Sequence, residues 1–231
     1  MRSVRTLIWG VVLFVGVFIM APGTGWLSMA QDVVILPDSN LPPESDPPDC
    51  DDLTSLYVVK DELFLYDIIP FTCIMSDIRH RCFTEVYRQI AGSDEIETFN
   101  SIWDAVMDFG SGSVPVSLTG FVDTKTNGKA LSTTGTFDAE IVSMDLSGNA
   151  GEFTIMLRED PVRASVGSTA ITDLGGGLYQ IDSFFDVFTE LSIDGGQVWY
   201  PASNSGHLTL VPAWTVATAT TSWGAIKSIY K

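Results

Sequence analysis

SFFDVFTELSIDGGQVW, residues Ser183–Trp199, is the run whose reading decides the fold. Aromatic, β-branched and alternating residues fill its first half, which predicts a long strand. Asp194-Gly195-Gly196 then supplies a tight-turn signal, so the run reads as a β-hairpin. Asp182, Asp186 and Glu190 share one parity of this strand, with Phe184 and Phe188 between them. Neighbours of that set lie four residues apart, about 13 Å along a strand, too far for a pair of glycosidase carboxylates. They are expected to cover a solvated strand face.

Ser192–Trp199 fits the pattern S-x-D-x-G-x-[T]-W, with Val198 at the usual Thr position. It resembles the Asp-box found in families that include sialidases, where the motif braces a hairpin away from the active site. Ser192, Asp194, Gly195, Gly196 and Trp199 are therefore expected to build a structural turn. Asp194 would bond backbone N–H groups, the glycines would take positive φ, and Trp199 would cover the hairpin. A propeller would repeat the motif at blade spacing. One copy points to a fold element and not to hydrolysis.

The chain on either side repeats the same grammar. Leu53–Ile69, Glu95–Phe109, Val114–Leu118, Thr136–Leu146, Glu152–Glu159, Arg163–Asp173 and Leu178–Ile193 all read as strands. Gly110–Ser113, Lys125–Gly128 (KTNG), Ser147–Gly151 and Gly175–Gly177 separate them. Strands at roughly ten-residue spacing predict an all-β domain, an antiparallel β-sandwich or open barrel. Cys73–Ile90 reads two ways. Ile74, Ile78, Cys82, Val86 and Ile90 recur every fourth residue, as in a short helix over residues 76–90 capped by Ser76. Ile78, His80, Cys82, Thr84 and Val86 also alternate, as in a strand, and the β-rich sequence downstream favours the strand.

Residues 1–30 read as a secretory signal: Arg2 and Arg5, the apolar run Leu7–Met20, then Ser28-Met29-Ala30 before Gln31. Residues 31–52 hold an acidic, proline-rich stretch. Its part LPDSNLPPESDPPDCDD carries five prolines and six acids, and is expected to be an extended linker. Residues 53–212 form the β domain. Residues 213–231 form a Thr-rich extension, strand-like or flexible. The expected location is outside the cytoplasm: extracellular, cell-surface or periplasmic, with no membrane span once the signal is cleaved. The formal net charge of −17 disfavours nucleic acid and anionic membrane surfaces as partners.

Cys50, Cys73 and Cys82 allow one disulfide in an exported chain. Cys73–Cys82 is the nearest pair, Cys50 is the alternative partner, and the sequence leaves the choice open. His80 and His207 sit in no zinc-ligand cluster. No nucleophile elbow, P-loop or dinucleotide fingerprint is present. Calcium is the one candidate cofactor, through the turn carboxylates Asp145, Asp173 and Asp194. No catalytic residue and no cofactor-binding residue is assigned.

Ile171–Ala202, with Thr133–Asp138 and Ser143–Gly148 upstream, resembles a group of exported bacterial proteins of unknown function. Many of these end in a PEP-type C-terminal sorting tail. The likeness runs over about Asp94–Leu210 and implies location more than mechanism. After Leu210-Val211-Pro212 the sequence shows no Pro-Glu-Pro, closing apolar span or terminal basic cluster. The expected role is that of an exported structural, adhesive or ligand-binding β domain at the cell surface or in the matrix. Carbohydrate or other surface proteins are the expected partners, with Trp199, Tyr200 and Trp214 as stacking candidates. The oligomeric state is not readable. The competing class is an exported carboxylate-dependent hydrolase acting on glycans.

Overall fold

Thirteen strands alternate with tight turns in the computed structural model, which describes residues 33–44, 50, 55–59 and 62–213. The expected signal, the segments 45–49 and 51–54, and the extension beyond Ala213, with Trp214, lie outside the described residues. All described residues belong to one compact unit.

The strands are β1 (Val34–Leu36), β2 (Ser55–Val59), β3 (Phe64–Ile68), β4 (Phe71–Ala91), β5 (Asp94–Asp108), β6 (Ser113–Thr126) and β7 (Gly135–Ala150). They continue as β8 (Phe153–Glu159), β9 (Ser165–Gly175), β10 (Leu178–Val187), β11 (Thr189–Ser192), β12 (Tyr200–Pro201) and β13 (Gly206–Pro212). Twelve of these join into eight long runs: β2 with β3, β4, β5, β6, β7, β8 with β9, β10 with β11, and β12 with β13. β9 pairs with the first half of β7 and β8 with its last half. β10 then pairs with β9, and β11 with β8. β13 pairs with β10, and β12 with β11. The ring closes where β13 pairs with β2 and Ala202 bridges Tyr66 in β3. Each run is antiparallel to the next, so the fold is an up-and-down antiparallel barrel of 8 strands, with β1 added along β10.

The expected all-β antiparallel class holds; of the two expected forms the sandwich is not adopted, and the barrel is closed and not open. A sandwich needs two inner faces pressed together, whereas here one sheet turns its inner face upon itself. Closure removes the free edges that a sandwich must protect. The alternative of a short helix over 76–90 is also overturned. β4 is a single strand with register shifts between Ser76 and Arg79, between Arg81 and Thr84, and between Thr84 and Tyr87. Asp77, Cys82 and Glu85 take positive φ at these bulges. Each inserted residue resets the parity, so the inward side chains fall at Cys73, Met75, Ile78, His80 and Phe83. Alternation with skipped beats imitates a helical period.

The KTNG stretch is not a two-residue hairpin. Gly128 (φ 74°) leads into a 3-10 turn, Lys129–Leu131. That turn is stapled to the β4–β5 hairpin by Gly128 N–H to Asp94 Oδ1 (3.0 Å) and Ala130 N–H to the Ser93 carbonyl (3.1 Å).

The two ends of the barrel differ. The β3–β4, β5–β6, β7–β8 and β11–β12 turns close one end, over a bore filled with apolar side chains. Phe64, Tyr66, Met75, Trp103, Met107, Leu118, Met144, Leu146, Ile155 and Leu157 are all fully buried there. Gly206 is part of this packing: a Cβ on it would stand 2.4 Å from the Phe64 ring. The β4–β5, β6–β7 and β9–β10 turns surround the other end, here called the mouth.

Residues 33–44, within the stretch read as a linker, are packed on the barrel. Val34–Leu36 pairs with Ile181–Tyr179 of β10, and Leu41 is buried. Proline richness is compatible with this, because a segment that lies across an opening needs few ladder hydrogen bonds. Cys50 bonds Cys82, with Cα atoms 5.4 Å apart, and Cys73 is a buried free thiol. The nearest-pair option, Cys73–Cys82, is not the one formed. Cys73 points into the bore, while Cys82 sits at a bulge that turns it away from that face.

Candidate functional site

Inward positions near the mouth alternate apolar and polar residues. Tyr57 Oη donates to Ser183 Oγ at 2.8 Å, and Ser183 and Thr169 share a second hydroxyl bond of 2.8 Å. Three runs thus meet through one hydroxyl chain inside the bore. Burial pushes the Tyr57 phenol well above its usual range, so it stays a neutral donor. His80 Nε2 meets Ser101 Oγ at 2.8 Å, with the Phe83 ring edge-on at 5.1 Å. Burial lowers His80 to about 3, so the ring is uncharged at neutral pH.

Closer to the rim lies a cluster of charges. Glu97 is fully buried, and in register it stands opposite Arg88 on one side and Thr124 on the other. Thr124 Oγ1 donates to Glu97 Oε2 at 3.3 Å. Burial raises Glu97 to about 8, and its hydrogen bond and charge repulsion with Glu95 add to this; Arg88 and Thr124 pull the other way. Glu97 therefore holds its proton at pH 7 and can share it with Glu95. Lys129 Nζ lies 3.7 Å from Glu95 Oε1.

Leu41 and Pro42 stopper the opening. Arg88 Nη2 donates to the Pro42 carbonyl at 3.3 Å. Beneath them a cavity of about 20 Å³ remains, room for one water. Its walls are Phe83, Phe99, Val122, Ile141, Phe185 and Leu208, with the hydroxyls of Tyr57, Thr124, Thr126 and Thr169 between them. Among the described residues, Ser55 Oγ and Arg88 Nε are buried at this end without a hydrogen-bond partner, while the Glu95 and Glu97 carboxyls have each other and Lys129. Native proteins rarely leave such atoms unmatched, so their place under the stopper makes the mouth the candidate site.

The residues singled out in the sequence lie elsewhere. Asp182 is exposed and accepts from Gln180 Nε2 at 3.0 Å. Asp186 meets His207 Nδ1 at 2.6 Å, and Glu190 meets Arg158 Nη2 at 2.6 Å. All three point outward, because Ile181, Ser183, Phe185 and Val187 take the inward parity. Ser192, Asp194, Gly195, Gly196 and Trp199 do form one turn, at the end opposite the mouth. Asp194 Oδ1 accepts from Ser192 Oγ (2.7 Å) and from the N–H groups of Gln197 and Val198 (both 3.0 Å). Ser192 Oγ accepts from Gly196 N–H at 2.9 Å. Gly195 and Gly196 have φ of 72° and 90°, and Gly195 N–H reaches the Thr154 carbonyl at 3.1 Å. Arg158 stacks 3.9 Å over the Trp199 ring.

Asp145, Asp173 and Asp194 are not brought together. Asp145 lies in β7 facing Phe121 and Arg158, Asp173 accepts from Gly175 N–H at the β9–β10 turn, and Asp194 is committed to its own turn. Among the described residues no three His, Cys, Asp or Glu side chains gather as metal ligands, and no helix is long and apolar enough to cross a membrane.

The sequence reading does not single out Arg88, Glu97, Thr124, Thr169 or Ser183. One signal could have found Glu97: it is an acid on the inward parity of β5, in line with Phe99, Ser101, Trp103 and Met107. Comparison with protein-family models, with curated proteins and with solved structures finds no match for this chain.

Proposed function

We propose that the protein is an exported ligand-binding barrel that takes a small, largely apolar molecule into its mouth when the Leu41–Pro42 stopper gives way. One observation carries the reading. The bore is filled by the barrel's own side chains at one end, but at the other it is filled by residues from outside the barrel, over unmatched polar groups. Eight-stranded barrels have an interior of the size that either packs solid or holds one small ligand. A bound molecule would replace the contacts of Leu41 and satisfy groups the stopper leaves unpaired. The exported location rests on the N-terminal signal pattern and on the likeness to exported bacterial proteins.

The hydrolase reading has less support, because the acids of β10 and β11 lie on the outer face in local pairs. A structural or adhesive role gains support if the mouth never opens.

The test uses the neutral apolar dye N-phenyl-1-naphthylamine and the exported chain. Saturable one-to-one fluorescence enhancement is expected, abolished by Thr169→Phe, which fills the bore. The absence of saturable binding, or binding untouched by that substitution, contradicts the reading.

A further inference from the structure

We infer that the mouth is a site for an apolar monocarboxylate, its carboxylate seated on the Nε and Nη2 edge of Arg88 and its hydrocarbon in the place of Leu41. This rests on the reading of the mouth as a binding pocket, and it adds the chemistry of the head group.

Arg88 carries the argument. Its Nη2 holds a single backbone carbonyl, that of Pro42, and its neighbouring Nε is buried with no partner. Those two nitrogens form one edge of the guanidinium, spaced to take both oxygens of a carboxylate. Arg158 uses the same edge on a carboxylate elsewhere in this chain: its Nε and Nη2 both donate to one oxygen, Oε2, of Glu190, at 2.8 and 2.6 Å. At Arg88 the stopper satisfies half of the same fork.

The charge balance agrees. Among the described residues Arg88 has no ion pair. The acid directly opposite it, Glu97, keeps its proton at neutral pH, and Glu95 faces Lys129. The remaining orphan at the rim, Ser55 Oγ, can also donate. An amine would find a guanidinium, and a plain hydrocarbon would leave the fork half empty. A carboxylate brings the second acceptor and the missing charge. The body of the ligand must be apolar, because Leu41 rests above Phe99, Val122, Ile141 and Leu208.

Calorimetric titration of the exported chain with decanoate and with 1-decanol tests this, on wild type and on Arg88→Gln and Arg88→Lys. Decanoate should bind at least about tenfold more tightly than decanol to wild type. Arg88→Gln should lose that preference while still binding decanol, and Arg88→Lys should keep part of it. Melting curves show whether each variant is folded, and the lysine variant carries the test if the glutamine variant is not. Equal binding of acid and alcohol by wild type, or a preference that survives Arg88→Gln, overturns the carboxylate assignment and leaves the pocket standing. Failure of both probes to bind wild type and Leu41→Ser overturns the assignment and the pocket together.

Discussion

Arg88 and Pro42 are joined by a hydrogen bond of 3.3 Å from Nη2 to the backbone carbonyl, which ties the N-terminal stopper to the barrel rim. The bond uses one nitrogen of a fork built for two acceptors. The stopper is therefore a partial match for the opening it fills, held there also by the burial of Leu41 and by the pairing of Val34–Leu36 with β10.

Leu41→Ser should weaken that hold. Full burial of a leucine side chain stabilises by about 1.5–3 kcal/mol. Removing most of it shifts the population toward the open mouth, so N-phenyl-1-naphthylamine should bind several-fold more tightly than to wild type. Unchanged or weaker dye binding would mean that the stopper does not compete with ligand.

Two buried groups set a pH optimum for stability. Glu97 binds its proton more tightly folded (about 8) than unfolded, so its contribution is full below the ordinary glutamate range and falls as pH rises toward 8. His80 is the reverse: lowered to about 3, it resists protonation in the fold and costs stability as pH drops below 6.5. Between the ordinary glutamate value and 6.5 the two slopes oppose each other. Melting temperature should therefore peak in that window and decline on the alkaline side up to about 8. Glu97→Gln should remove the alkaline decline. A wild-type profile flat from pH 6.5 to 8 would show that Glu97 is ionised in the fold.

The turn at the far end is a brace. Ser192 is fully buried, and its hydroxyl accepts from Gly196 N–H while donating to Asp194. Ser192→Ala should cost about 1–2 kcal/mol in denaturant unfolding, because it leaves the Gly196 N–H without its acceptor and removes one of the three donors to Asp194 Oδ1. Gly196→Val should cost about 1–3 kcal/mol, since φ there is 90° and a Cβ would meet Met156 Sδ at 3.1 Å. Neither substitution should alter dye binding at the mouth. A variant that melts like wild type removes this turn from the account of stability.

Cys50 and Cys82 should appear as one linked peptide pair under non-reducing digestion, with Cys73 alkylated only after unfolding. Cys82→Ser should lower stability by about 2–4 kcal/mol through the freed loop of 32 residues. A Cys73–Cys82 peptide would refute the pairing.

Much of the barrel is written locally. Alternation and glycine turns mark most strands, and the outward parity of Asp182, Asp186 and Glu190 is legible from spacing alone. Closure is not, because it depends on Leu208–Pro212 finding Ser55–Val59 across most of the chain. β4 was ambiguous because positive-φ residues at Asp77, Cys82 and Glu85 break its alternation. Asp145, Asp173 and Asp194 read as strand ends, yet Asp145 lies within β7, and Asp173 and Asp194 sit at turns on opposite ends of the barrel, since turn grammar does not encode which end a turn reaches. The mouth was hidden for a further reason. Proline and acid content around Leu41 reads as solvated chain, and one buried leucine does not change that composition.

The most direct measurement is a methyl NMR titration of residues 31–231 with N-phenyl-1-naphthylamine, whose rings shift nearby resonances strongly. Saturable shifts are expected at Val122, Ile141 and Leu208 around the mouth cavity, with Leu146, Ile155 and Leu157 in the filled half unmoved. Shifts confined to the outer surface, or none at any dye concentration, would contradict the claim that this barrel opens to a ligand.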